Sequence, residues 1–204
     1  MAEIYSLIAG ILMILVMATY LYKVVTGIST PNTATWVIVL VVMTLNTLTY
    51  YTVVGGDLRK VGISVLATLG IIAIFTYSLF KGKFSRIGLI DGIVISLAFV
   101  VGFVWRTTGD AVLANLALQI VLLISFLPTA RGLVRNEIRD HPLPWTLAVL
   151  SYCFQILTVL SGVKGWTWPE LVFPILNGIF GNGTVLCIII WKRRRGNWTS
   201  TASS

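Results

Sequence analysis

The sequence predicts an all-α membrane protein with seven transmembrane helices. Its 204 residues are 57% hydrophobic and only 11% charged, where a soluble domain carries about a quarter charged residues. The mean hydropathy is +0.93. Several apolar runs match or exceed the roughly 20 residues that a bilayer core asks of a helix. They are continuous, unlike the alternating segments of about ten residues that build an outer-membrane barrel.

The first run, about residues 4–24, is too long for the apolar part of a signal peptide. No charged leader precedes it and no small-x-small cleavage site follows, so it is expected to stay in the mature chain. The second, 34–54, begins after Pro31 and holds Trp36 near its start. The third covers 60–80, the fourth 86–106 and the fifth 110–132. The sixth, 143–163, follows Pro142 and holds Trp145, and the seventh covers 169–191. Proline suits the first turn of a helix, where its missing N–H costs nothing. Tryptophans near segment ends fit the aromatic belts of the two membrane interfaces.

Charge sets the expected orientation. One set of connecting segments holds Lys23, Lys81, Lys83, Arg86, Arg131, Arg135, Arg139, Lys192, Arg193, Arg194 and Arg195. The other set holds Arg59, Lys60, Arg106 and Lys164. The positive-inside rule then gives N-out, C-in, which needs an odd number of spans. The net charge of +8 is therefore read as a topology signal, with no nucleic-acid partner expected. A weak attraction to anionic headgroups is secondary.

The chain also repeats. A shift of 109 positions lays Trp36 on Trp145 and Asn46 on Gln155. A shift of 111 lays Gly70 on Gly181 and Phe80-Lys81 on Trp191-Lys192. Helices 1–3 thus correspond to helices 5–7, and helix 4 is left over. Three helices followed by one restore the same orientation for the second copy. The result is a 3+1+3 pair of parallel pseudo-repeats about an axis along the membrane normal. The expected divisions are 1–82, the linker helix 83–108, the second triple 109–195, and a disordered polar tail 196–204.

Polar side chains in hydrocarbon must face protein or water. Asn46 and Tyr50 share a face of helix 2, Asn115 and Gln119 a face of helix 5, and Tyr152 and Gln155 a face of helix 6. Helix 7 adds Asn177 and Asn182. Ten residues at 1.5 Å each carry Asn46 and Gln155 about 15 Å past their tryptophans, to roughly mid-membrane. These eight residues are expected to line one central cavity for a small polar solute, with Asn46 and Gln155 facing each other. Any single amide can equally be interhelical glue.

Pro128 and Pro174 are expected to kink helices 5 and 7 and so gate access. Asp91 stands out as the charge inside a span, readable as a proton-coupling site or as a snorkelling interfacial carboxylate. His141, in a basic loop, is expected to be solvated. Cys153 and Cys187 are expected to be small buried hydrophobes and form no metal pattern.

The helix 7 stretch Pro174 to Gly181, "PILNGIFG", together with the 3+1+3 plan, resembles the SWEET sugar transporters and the wider PQ-loop superfamily. "LPT" at Leu127 to Thr129 is similar to the proline–glutamine pair of helix 5 in that family. The resemblance implies that Asn177 contacts substrate. No Pro-Gln dipeptide occurs in this chain, so the resemblance is carried to the fold and a polar-solute path, not to a sugar. Over its length the chain is similar to bacterial seven-helix proteins with P-x-x-A-T-W before helix 2 and P-x-x-W before helix 6. That resemblance implies the bacterial cytoplasmic (inner) membrane.

The expected function is a facilitator or secondary transporter of a small polar solute by alternating access. The alternative is a non-transporting sensor or scaffold in a transporter-like fold. No cofactor or metal is expected, and no enzyme: paired carboxylates, a nucleophile with its base and a phosphate loop are all missing from the sequence. The expected partners are the bilayer and the solute, with self-association left open. Helix 7 has no lysine before Lys192, which excludes a retinal Schiff base.

Overall fold

The structure, a computed structural model, describes residues 1–27, 33–81, 89–135, 140–162 and 165–195. The described residues are all-helical, with no strand among them. The helices are α1 (Ala2–Val25), α2 (Thr33–Val53), α3 (Leu58–Lys81), α4 (Leu89–Thr108), α5 (Ala111–Val134) and α6 (Pro142–Leu160). A last rod is formed by α7 (Trp168–Phe173), a π-helical segment (Pro174–Gly181) and α8 (Asn182–Arg194). Six of these, counting the rod Trp168–Arg194 as one, are long and apolar enough to cross a membrane. The apolar stretch of α4, Gly92–Thr108, is shorter.

Local chemistry fixes several ends. The Asp110 carboxylate accepts from the Leu113 N–H at 2.9 Å and caps α5. Pro142 opens α6, as the sequence predicts, and His141 Nδ1 accepts the Leu143 N–H at 3.2 Å. Gly55 and Gly56, both at positive φ, turn the chain from α2 into α3.

Burial is inverted relative to a soluble protein. Large apolar side chains such as Ile4, Leu7, Ile11, Phe99, Phe103 and Ile120 are exposed. Asn46, Ser64, Asn115, Gln119, Gln155 and Asn177 are buried. Water would reject such a surface, whereas lipid requires one. The chain is an integral membrane protein. Cys153 and Cys187 are a correction: both are exposed on this apolar surface rather than buried.

Consecutive helices are not always the closest neighbours. α1 and α2 touch through the Tyr20 and Trp36 rings, with centroids 5.4 Å apart, while α3 packs more closely on both. Likewise α5 and α6 touch through the Phe126 and Trp145 rings, with centroids 6.4 Å apart, while the last rod packs more closely on both. The two groups meet through α1 with α6, α2 with α5, α3 with α6 and α2 with α7. Among the described residues α4 packs on α2 and α5. Close approach in each group uses a glycine: a Cβ on Gly70 would strike Met17 of α1, and one on Gly181 would strike Phe126 of α5.

Contacts also define the two ends. Glu3, Asp57, Arg59, Lys60, Gly165 and Glu170 gather at the near end. Lys23, Asp140, His141 and Arg193 gather at the far end.

Candidate functional site

Among the described residues, the expected site residues fall mainly into two buried polar groups. The deeper one is built on α2, α3, α5 and the π-helical segment. Asn46 Nδ2 donates to Ser64 Oγ at 3.3 Å. Asn46 Oδ1 accepts from Asn115 Nδ2 at 3.2 Å and from Gln119 Nε2 at 2.9 Å. Asn115 also donates to Thr49 Oγ1 at 3.0 Å, and Gln119 to the Asn115 carbonyl at 2.8 Å. Asn177 Nδ2 donates to Gln119 Oε1. Thr47 joins Ser64 and Thr68 through hydroxyl contacts of 2.7 and 2.8 Å. Four expected site residues, Asn46, Asn115, Gln119 and Asn177, therefore meet. Where an open lined cavity is expected, they hydrogen-bond side chain to side chain.

Gln155 is not in this group. Its Nε2 donates to the Lys60 carbonyl, and its side chain lies beside the Tyr50 hydroxyl. Asn46 and Gln155 are therefore not paired across a centre, which corrects that expectation. The reason is three-dimensional: α6 packs on α1 and α3, whereas Asn46 looks towards α5.

The second group lies at the near end and centres on a pair that the sequence reading missed. Lys60 Nζ donates to Glu170 Oε2, and the two side chains are only 6% and 9% exposed. Lys60 reads from sequence as a loop charge that sets topology; here it is buried and paired. Lys60 and Glu170 thus bring charge into the bundle that the sequence reading gave to Asp91 alone, and the Asp91 side chain lies outside the described residues. Lys60 Nζ also donates to the Gly165 carbonyl at 3.1 Å. Glu170 Oε1 accepts from the Thr167 N–H and hydroxyl, both at 3.2 Å. The signal was present in the sequence: Thr167-x-x-Glu170 has the spacing of a capping box.

Pro174 does not simply kink the last rod. It opens eight residues of π-helix. Lacking an N–H, it cannot donate to the carbonyl four residues back, which belongs to Glu170. The Tyr50 hydroxyl donates to that carbonyl instead, at 2.7 Å. At the other end of the segment, Asn182 donates to the Asn177 carbonyl from both its N–H and its Nδ2, the latter at 2.7 Å. Asn182 therefore braces the backbone. Tyr152 packs its ring on Phe173 (centroids 5.6 Å apart) and against Gly178, where a Cβ would lie 2.3 Å from a ring carbon. α5 runs unbroken through position 128, and the Pro128 side chain lies outside the described residues.

Among the described residues, two buried acceptors in this interior have no hydrogen-bond donor: Gln155 Oε1 and Asn177 Oδ1. A rim of exposed charge frames the near end, with Arg59 Nε donating to Asp57 Oδ1 at 3.1 Å and standing 3.6 Å from Glu3. Burial would raise the Asp57 carboxyl, but the Arg59 hydrogen bonds and charge, with Lys60, hold it below the usual carboxylate range. At the far end His141 is held below its ordinary value by partial burial and by Lys23 and Arg193, which keeps Nδ1 free to accept as a cap. Lys192, counted from sequence among the topology charges, is buried and donates to the carbonyls of Leu133 and Val134, closing the C-terminus of α5.

The chain matches no family model, no curated protein and no solved structure.

Proposed function

We propose that this chain is a membrane facilitator or secondary transporter of a small polar solute, described here with its path closed. The observation that carries this reading is the pair of orphaned acceptors, Gln155 Oε1 and Asn177 Oδ1. A buried acceptor without a donor costs about 1–3 kcal/mol. A solute bearing hydroxyl or ammonium hydrogens would supply what both lack. Asn177 sits within a π-helical segment, a backbone form that recurs at functional sites.

The packing supports seven spans in a 3+1+3 plan, with α4 as the linker. Exchanging α1 with α5, α2 with α6, and α3 with the last rod turns the α1–α6 contact into α5–α2. It also turns α3–α6 into the rod's contact with α2. Met17 against Gly70 becomes Phe126 against Gly181, at the shifts of 109 and 111 that the sequence repeat uses. The charge distribution supports N-out, C-in. This plan is the ground for likening the chain to the SWEET and PQ-loop transporters, and the P-x-x-A-T-W and P-x-x-W motifs are the ground for placing it in a bacterial inner membrane. Rocking of the two triples against each other would give alternating access.

The sensor or scaffold reading keeps one specific observation in its favour. Asn46, Asn115 and Gln119 saturate one another, as helix glue does. Uptake of a panel of small polar solutes into liposomes separates the two readings. The Gln155→Leu/Asn177→Leu variant should lose uptake at least tenfold while keeping its helical content and monodisperse elution. Unchanged uptake would move the path elsewhere. Solutes that raise the melting temperature yet never cross would establish the sensor.

A further inference from the structure

We propose that the Lys60–Glu170 pair is the charge-recognising part of this site, and that its ligand is a small zwitterion: one ammonium and one carboxylate on a short frame. This rests on the solute-path reading and gives it a substrate class. Lys60 belongs to α3 and Glu170 to α7, one from each group of three helices. Any parting of the two groups at the near end must separate them.

Buried opposite charges that part without replacement become two uncompensated ions, and each is costly in a low-dielectric interior. A neutral polyol brings hydrogen bonds but no charge. A lone anion or a lone cation compensates one partner and strands the other. A zwitterion compensates both at once: its carboxylate replaces Glu170 on Lys60 Nζ, and its ammonium replaces Lys60 on Glu170 Oε2.

Three further features fit this exchange. Glu170 keeps a second anchor within its own group, the Thr167 N–H, so its carboxylate stays placed when Lys60 leaves. An ammonium has three hydrogens to place, and Gln155, whose Nε2 holds the Lys60 backbone, presents the orphaned Oε1. Tyr50 and Phe173, their rings tilted by 56° with centroids 5.2 Å apart beside Glu170, offer aromatic groups suited to a cation.

The test uses the full chain, in detergent for thermal shift and in liposomes for uptake. Glycine and alanine serve as zwitterions, glycerol as the neutral solute, and acetate and methylammonium as the separate halves. The zwitterions should raise the melting temperature and enter saturably, at least tenfold faster than glycerol or either half. The Lys60→Met/Glu170→Gln double variant, which strands no charge, should keep its melting temperature and lose zwitterion uptake at least tenfold. Glycerol entering as well as glycine, or the double variant carrying glycine normally, overturns the assignment. Glycerol uptake without glycine uptake overturns it while the solute path stands. A zwitterion-specific thermal shift without any uptake upholds the site and overturns transport. Neither shift nor uptake overturns both.

Discussion

Asn46 and Lys60 lie on adjacent helices, α2 and α3, and both are buried. Their surroundings differ in kind. Asn46 belongs to a neutral network in which most members have more than one partner. Asn115 reaches both Asn46 and Thr49, and Gln119 reaches both Asn46 and the Asn115 carbonyl. Lys60 depends on one carboxylate, and its other partner is a single carbonyl. Redundancy makes the amide group tolerant and suits it to holding helices together. The ion pair has no understudy, so whatever separates it must replace it. A polar interior of this kind contains a structural part and a switchable part, and they are told apart by what remains when one member is removed.

The largest effect should therefore fall on the pair. Lys60→Met or Glu170→Gln alone leaves a buried group uncompensated and should destabilise the fold by about 3–5 kcal/mol. The double variant should recover most of that loss, and a thermal-denaturation cycle in detergent measures the coupling. Singles as mild as the double would erase the contrast between the two regions.

Tyr50 sharpens the comparison because it connects them. It stands one turn beyond Asn46 on α2 and donates to the carbonyl that Pro174 leaves without a helical donor. Tyr50→Phe should cost about 1–3 kcal/mol, the penalty for an unsatisfied buried carbonyl. In a Pro174→Ala background the restored N–H can serve Glu170, so the same substitution should cost less there. Equal costs in both backgrounds would sever the proposed link between the proline and the hydroxyl.

The smallest effect belongs to the amides. Asn115→Leu or Gln119→Leu should each cost about 0.6–2 kcal/mol, the range for interhelical hydrogen bonds in membranes. A loss comparable to that of the pair would mean that the neutral network is as brittle as the charged one.

Much of this molecule was legible in the sequence. Runs of apolar residues set the helices. Pro142 set the start of α6, and the four-residue spacing of Asn115 and Gln119 put both on one face. The proline–asparagine–glycine stretch marked the segment whose backbone departs from the α form. Other features escaped. Gln155 matched Asn46 in register but bonds to α3, because register along a helix says nothing about which neighbour that helix faces. Lys60 looked like a loop charge because its partner is about a hundred residues away in sequence. Cys153 and Cys187 looked like core because small apolar residues suit lipid and protein interior equally well.

The sequence by itself determined an all-helical, membrane-embedded chain and the polar residues that must avoid lipid, because hydrophobic length and backbone hydrogen bonding act locally along the chain. Only the tertiary structure decided that four amides close on one another, that Tyr50 takes over a carbonyl freed by Pro174, and that Lys60 meets Glu170. Those outcomes depend on which helices become neighbours and at what rotation, and packing settles that over the whole bundle at once.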